Sequence, residues 1–203
     1  MLRILITILL IISPFKALAL IEVDITRGNL NPLPIAVSPL SIDKNSQQSF
    51  KKILGKKNIG SEIASVVEQN LKASGLFNPL DKDAFLQAPD IANLKPRFED
   101  WSLIKAQALI TGKVNLLNDK LRVEFRLWDV LAGKEMMALA FTTVPNNWRR
   151  VGHIITDKVY ERLTGERGYF DTRIIYVAEE GPKTRRIKKL AIMDQDGANN
   201  KFL

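Results

Sequence analysis

The sequence predicts an α/β domain with a compact mixed sheet and two main helices, followed by the start of a β-rich repeat. Three observations support this fold class. Apolar residues recur at helical spacing in residues 59–74 and again in residues 146–163. Between these segments, three strand-like stretches joined by short turns occupy residues 108–143. After Gly168 the pattern changes to strand, turn and strand, which indicates a second structural unit.

The first residues have the pattern of a secretory signal. Arg3 precedes an apolar run from Ile4 to Ile12, and Ala-Leu-Ala at 17–19 matches the small residues of a cleavage site. A membrane anchor is the alternative, but a span needs about 20 apolar residues and this run is far shorter. We therefore expect residues 1–19 to be a signal peptide and the mature chain to be exported and soluble.

The net charge and the cysteine content limit the classes of function that the chain can have. Loss of residues 1–19 would lower the formal net charge from +8 to +6, which is too modest to indicate nucleic-acid binding by itself. The chain contains no cysteine, so an exported domain must be stabilised by its core alone. A domain of roughly 150 residues can achieve this, because it buries about 70% of its unfolded surface.

The mature N-terminus is predicted to be an extended segment, residues 20–32. Ile21, Val23 and Ile25 alternate with polar residues at the period of a strand, until Gly28 and Pro32 break the pattern. A short strand is predicted next, at residues 35–37.

The first helix is predicted over residues 59–74, with Ser61 as its N-cap and Gly75 in the left-handed position after its end. Two basic pairs, Lys51-Lys52 and Lys56-Lys57, precede it. They are interpreted as a solvated loop, with a phosphate-binding role as the alternative.

The middle of the chain is predicted to be a loop and short helix at 77–93, then a helical turn at 96–106. Strands follow at 108–116, 121–129 and 135–143, the first two joined as a hairpin at 117–120. The second main helix, residues 146–163, places Trp148, Val151, Ile155 and Val159 on one side, and Gly165 ends it.

The last 35 or so residues are predicted to hold two strands, at 173–178 and 188–193, and a tight turn at 194–197. Two strands without a larger sheet are marginal in water, and a repeat protein needs several units to bury a core. We therefore expect this part to be the opening of a longer repeat.

Candidate catalytic and metal sites are few. His153 is the only histidine, and there is neither a cysteine nor a Gly-x-Ser-x-Gly elbow, so we expect no enzymatic activity, no cofactor and no catalytic or metal-binding residue. A packing or hydrogen-bonding role is predicted for His153. The segment 194–199 resembles the start of a calcium loop, but its glycine is fourth rather than sixth, which favours an Asp-Gly turn.

The basic run at 183–189 carries five charges in seven residues but has no interleaved aromatics. A solvated β-turn is predicted there rather than a nucleic-acid site. Trp101 and Trp148 are interpreted as core or edge aromatics rather than ligand platforms.

Several segments resemble one known family. Residues 161–177, Glu-Arg-Leu-Thr-Gly-Glu-Arg-Gly-Tyr-Phe-Asp-Thr-Arg-Ile-Ile-Tyr-Val, look like the junction segment of TolB proteins, and residues 189–199 are similar to their first propeller strand and turn. Residues 23–28 and 34–37 resemble the mature N-terminus of the family. Asp100-Trp101, residues 108–114 and residues 125–129 fit the domain between. The resemblance covers essentially the whole chain.

The resemblance implies a periplasmic, non-enzymatic protein of the Tol-Pal system, which links the envelope layers and supports outer-membrane constriction at division. It implies an α/β domain, here residues 33–168, followed by a six-bladed β-propeller that binds Pal. Residues 169–203 would be its incomplete first blade, so no Pal-contacting residue is assigned. The extreme N-terminus of the family engages TolA, which makes residues 20–32 the partner-binding segment. The candidate TolA contacts are Leu20, Ile21, Glu22, Val23, Asp24 and Ile25.

Two other classes stay open. One is the N-terminal part of a propeller-bearing secreted peptidase, whose catalytic elbow would lie beyond Leu203. The other is an envelope-surface binding module that uses residues 183–189, whose binding would weaken at high salt because surface charges are screened.

Overall fold

The computed structural model describes residues 31–56 and 58–203. The expected signal peptide and the candidate partner contacts at 20–25 lie outside these residues. The strands are β1 (Leu33–Val37), β2 (Ser41–Ile42), β3 (Phe77–Pro79), β4 (Ala108–Leu117), β5 (Lys120–Asp129), β6 (Lys134–Thr143), β7 (Arg173–Glu180), β8 (Ile187–Asp194) and β9 (Lys201–Phe202). The helices are α1 (Lys44–Leu54), α2 (Ile59–Ala73), α3 (Pro89–Leu94), α4 (Phe98–Leu103) and α5 (Trp148–Thr164), with short 3-10 turns at Lys82–Ala84 and Pro145–Asn147.

The first sheet is mixed. Its strand order is β3-β1-β4-β5-β6, and β2 pairs with the far end of β4. The pairs of β1 with β3, β1 with β4 and β2 with β4 are parallel, whereas β4, β5 and β6 form an antiparallel meander. The turn between β4 and β5 consists of Asn118 and Asp119, both at positive φ, which suits a tight hairpin. The predicted mixed-sheet α/β fold is confirmed.

The main core lies between this sheet and the pair α2 and α5. Strand alternation directs Ile35 and Val37 of β1 toward these helices, while Ala36 faces the opposite side. In β5 the predicted alternation is confirmed, because Leu121, Val123, Phe125 and Leu127 are all buried. The helices contribute apolar stripes at helical spacing, namely Ile63, Val67 and Leu71 from α2 and Val151, Ile155, Val159 and Leu163 from α5.

The other face of the sheet is covered by α3, α4 and the loops beside them. Trp101 is the centre of this smaller core, only 1% exposed, and packs with Leu109 and Val130. Its indole Nε1–H donates to Gln87 Oε1 at 3.0 Å, which satisfies the buried donor. The interpretation of Trp101 as a core residue is therefore confirmed.

Three local expectations were wrong. Lys51 and Lys52 do not lie in a loop but in α1, which is capped by Asp43 and ends at Gly55 in the left-handed conformation. Its apolar residues, Phe50, Ile53 and Leu54, lie at helical spacing near its end, and Phe50 is its one fully buried large side chain. The cap residue of α2 is Asn58 rather than Ser61, because the first helical turn already begins at Ile59. The short strand β3 was also missed.

The second sheet is an antiparallel meander of β7, β8 and β9. The two predicted strands are confirmed, with β7 extending to Glu180, and β9 adds a third. Much of its apolar surface is exposed, including Ile175, Val177, Ile187 and Phe202. The sheet has fewer strands than the four of a propeller blade. That residues 169–203 form the incomplete first blade of a propeller stays a prediction.

Candidate functional site

The predicted partner-binding segment precedes a firmly held strand. The Leu33 N–H donates to Leu76 O at 2.9 Å, and β1 is hydrogen-bonded on both sides, to β3 and to β4. The six candidate contacts, Leu20 to Ile25, lie outside the described residues. Their role as a partner site stays a prediction.

A polar, partly enclosed cavity lies where α5 meets the second sheet. We call it the junction cavity; its volume is about 360 Å³. Three segments form it: the start of α5, residues 146–153; the connection into β7, residues 171–173; and the turn after β8, residues 194–199. The helix directs Arg149 and His153 to the same side, since residues four apart share a helix face.

Ion pairs hold two segments of the second sheet against α5: the turn after β8 and the connection into β7. Arg149 donates through Nη2 to Asp196 Oδ2, and Arg150 donates through Nε and Nη2 to both oxygens of Asp171, at 3.0 Å each. Two turns further along, Asp157 accepts the backbone N–H groups of Phe170 at 2.6 Å and of Asp171 at 3.1 Å. These contacts fix the start of the second sheet against the first domain.

A buried amide and imidazole network lies beneath the cavity. His153 is 2% exposed, and its Nδ1 is 2.9 Å from Asn70 Nδ2 of α2. The same amide group donates to Thr156 Oγ1 at 3.2 Å, while Asn70 Oδ1 accepts from Gln195 Nε2 at 2.9 Å. With the amide oriented in this way, His153 Nδ1 is the acceptor, so neutral His153 carries its proton on Nε2. That Nε2 is 3.7 Å from Asp196 Oδ2.

Electrostatics follow from this burial. Burial lowers the pKa of His153 below its ordinary 6.5, although the carboxylate of Asp196 opposes the shift. For Asp196, burial works against the charged form, but the Ala198 N–H and the Arg149 guanidinium outweigh it and lower its pKa. At neutral pH the region therefore contains a neutral imidazole beside an ionised carboxylate.

One group in the cavity has the composition of a metal site. Ligand atoms of His153, Asp194 and Asp196 lie within 4.8 Å of one another. The carboxylates, however, already accept hydrogen bonds from Asn199 Nδ2 at 2.6 Å, from Ala198 N at 3.1 Å and from Arg149. A cation would also face the Arg149 guanidinium and the proton on His153 Nε2. The donor set does not fit a metal ion in this arrangement.

Other sequence predictions can be placed directly. The hydrogen-bonding role of His153 is confirmed. The Asp-Gly turn is also confirmed, since Gly197 has φ +83° and its N–H donates to Asp194 O at 2.9 Å. The basic run at 183–189 forms the exposed turn and the start of β8. Two of its lysines pair with acidic residues of β7, Lys188 with Glu179 at 3.2 Å and Lys189 with Glu180 at 3.1 Å.

Sequence reasoning missed the junction cavity as a whole. Its arginines and aspartates come from segments far apart in the chain, and each looks like an ordinary solvated charge in isolation. The available signal was the spacing of Arg149 and His153 on one helix face, followed downstream by Asp171, Asp194 and Asp196.

The two sheets and five helices of the described residues place the protein in a structural class: an α/β domain with a mixed sheet, joined to an antiparallel β-meander. Comparison with known proteins gives the family. Residues 21–136 match the family model of the TolB amino-terminal domain. The chain is 82% identical over 196 residues to "Tol-Pal system protein TolB" of Pelagibacter ubique (strain HTCC1062), a match that covers 97% of this chain and 44% of that protein. The chain belongs to the TolB family.

A solved structure agrees at the level of the fold. The crystal structure of TolB from Acinetobacter baumannii is similar with a TM-score of 0.67 at 24% identity, covering 90% of this chain and 41% of that one. The chain thus spans less than half the length of the two TolB proteins it is compared with. Within residues 31–56 and 58–203, we find no helix with the length and apolar character needed to cross a bilayer.

Proposed function

We propose that this chain acts in the periplasm as the amino-terminal part of a non-enzymatic Tol-Pal protein, and that residues 20–25 bind TolA. The observation that carries the proposal is membership of the TolB family: the match to its amino-terminal domain starts at residue 21, inside this segment. Pal is proposed as the second partner of the assembled protein, and no contact residue is assigned to it. In this role the protein connects the envelope layers and supports constriction at division.

The physical basis of the TolA contact is strand addition. Ile21, Val23 and Ile25 alternate with acidic or polar residues, so one side of an extended segment is apolar. Such a segment can pair with the exposed edge of a partner's sheet, where main-chain hydrogen bonds provide affinity and alternate side chains provide specificity. Gly28 and Pro32 separate it from β1, which begins at Leu33.

The non-enzymatic assignment is supported by the surroundings of the single histidine. In the described part of the chain, the His153 ring has one hydrogen-bond partner, Asn70, and Asp196 Oδ2 lies 3.7 Å from its Nε2. Among the same residues, no serine or threonine hydroxyl is hydrogen-bonded to the ring, as a nucleophile would be to its base. The peptidase alternative therefore gains no support from this region.

The experiment that tests the contact is a calorimetric titration with the C-terminal periplasmic domain of TolA. The Val23→Pro variant lacks one main-chain donor and should bind about tenfold more weakly or worse. The matched control is Val23→Thr, which keeps both the N–H and the β-branched shape and should retain most of the affinity. Equal affinity of the proline variant and the unmodified protein would overturn the strand-addition contact.

A further inference from the structure

The junction cavity contains the two orphaned polar atoms of the described structure. Among residues 31–56 and 58–203, the buried side-chain nitrogens without a hydrogen-bond partner are Arg149 Nε and His153 Nε2. Both residues line this one cavity of about 360 Å³. Buried polar groups in native proteins are nearly always paired, so two unpaired groups at one place indicate that a partner belongs there.

Both orphaned groups are donors. The guanidinium Nε–H has no acceptor function, and His153 Nε2 carries the proton because Nδ1 accepts from Asn70 Nδ2. His153 is 2% exposed, which gives its unpaired donor little access to bulk water. The missing partner must therefore be an acceptor, such as the oxygen of an anion, and not a cation.

The start of α5 adds a second reason to expect negative charge. This helix of 17 residues has no side-chain cap at Asn147 and no acidic residue in its first turn. Its N-terminal end carries the positive pole of the helix dipole; Arg149 and Arg150 also lie there, and their charges are balanced by Asp196 and Asp171. Arg173 also lines the cavity and is mostly exposed, with its Nε 3.9 Å from Asp194.

The carboxylates around the cavity do not meet this demand. Asp171 is engaged by Arg150, Asp196 by Arg149 and Ala198, and Asp194 by Asn199. The nearest of their oxygens, Asp196 Oδ2, is 3.7 Å from His153 Nε2, beyond hydrogen-bond length. The three carboxylates balance the charges of Arg149, Arg150 and Arg173, and the two orphaned donors are left without an acceptor.

From this geometry we propose that the junction cavity binds an oxyanion, a phosphate or carboxylate group, whose oxygens accept from Arg149 Nε and His153 Nε2. The proposal does not depend on the TolA assignment. The site would lie between α5, which carries both donors, and the turn after β8, residues 194–199.

The test is a titration of the purified protein with inorganic phosphate and, separately, with acetate, at constant ionic strength and pH 7.5. The readout is the NMR signal of the Arg149 Nε–Hε group and of the His153 ring. Saturable shifts of both groups are expected. A stronger response to phosphate would identify a phosphate group as the ligand, and a stronger response to acetate would identify a carboxylate.

Matched variants locate the binding. Arg149→Lys keeps the charge but removes the orphaned Nε–H, and should weaken binding about tenfold. Arg167→Lys makes the same substitution at an exposed position beyond the other end of α5 and should leave affinity unchanged. His153→Gln, which can still donate, should retain weaker binding, and an Arg149→Lys variant with an unchanged urea midpoint excludes misfolding as the cause of its loss.

Any of three results would overturn the proposal. One is the absence of a saturable shift with either anion up to about 100 mM, far above a Kd of about 1 mM; this would mean that water alone fills the cavity. Another is unchanged anion affinity in Arg149→Lys. Tight binding of Zn²⁺ or Mn²⁺ that shifts His153, strengthened in Arg149→Lys, would assign the cavity to a cation and would equally refute the oxyanion.

Discussion

The attachment of the second sheet to α5 depends on Asp157, and this gives a quantitative prediction. Its two carboxylate oxygens accept the N–H groups of Phe170 at 2.6 Å and Asp171 at 3.1 Å. Phe170 itself is 1% exposed and packs against Tyr160, with ring centroids 5.7 Å apart. Losing either hydrogen bond therefore leaves a donor close to a buried aromatic cluster.

The perturbation is Asp157→Asn, which preserves shape but replaces one acceptor by an amide NH₂. One backbone donor then faces another donor. A hydrogen bond to a charged acceptor contributes about 1.5–3 kcal/mol, and an unsatisfied buried donor costs about 1–3 kcal/mol. We expect the free energy of unfolding to fall by about 2–3 kcal/mol.

Urea unfolding followed by far-UV circular dichroism measures this loss. With a slope of about 2 kcal/mol per molar urea, the midpoint should move down by about 1 M or slightly more. The control is Asp119→Asn, the same chemical change at an exposed turn residue with φ +58°, where asparagine is well tolerated. A midpoint shift in Asp157→Asn no larger than in the control would refute the proposed anchoring role.

Three further predictions concern the same helix. Because burial keeps His153 neutral, its pKa is lower in the folded than in the unfolded state; stability should be full above about pH 6.5 and decline as the pH falls below it. NMR titration of this single histidine should give a midpoint below 6.5, and a midpoint above 6.5 would reverse the sign. Gly152→Ala would place Cβ 2.8 Å from Val66 Cγ1 and should cost about 1–2 kcal/mol. In a Val66→Ala background Cγ1 is removed but Cβ remains 2.9 Å away, so the cost of Gly152→Ala should fall only in part; additive effects in the double-mutant cycle would contradict the close helix contact. Gly165→Ala meets no atom within 4 Å but has φ +76°, so thermal unfolding should show a loss of about 1 kcal/mol from backbone strain alone.

The long helices and the meander strands were predictable because their buried apolar residues recur at a regular spacing along the chain. Residues 59–74 and 146–163 were predicted as helices, and α2 and α5 have nearly these bounds. The meander β4–β6 was predicted with similar accuracy, since its turns and its alternation are local properties. Gly75 and Gly165 both adopt the left-handed conformation expected after a helix end.

The elements that were missed depend on distant partners. Helix α1 contributes mainly Phe50 to the core; its apolar residues Phe50, Ile53 and Leu54 occupy only its C-terminal part, and its cap from Asp43 is a single weak signal. Strand β3 has only three residues, one of them Pro79, and forms because β1 offers a parallel edge. A parallel pairing between such short segments leaves no local pattern in the sequence.

The candidate site divides in the same way. The role of His153 could be inferred from its position on α5, but its partner Asn70 belongs to another helix and could not. The junction cavity exists only because α5 meets the turn after β8. The partner segment at 20–25 was inferred from family resemblance and a strand-like pattern, and its function is tested by binding rather than by packing.

We propose above that the chain binds TolA through its N-terminal partner-binding segment, residues 20–32. The most direct test is calorimetric titration of the purified protein with the C-terminal periplasmic domain of TolA, repeated after deletion of residues 20–31. We predict saturable binding by the intact protein and no detectable binding by the deletion variant, whose urea midpoint should be unchanged because β1 begins at Leu33. Equal binding by both proteins, or no binding by the intact one, would contradict the account.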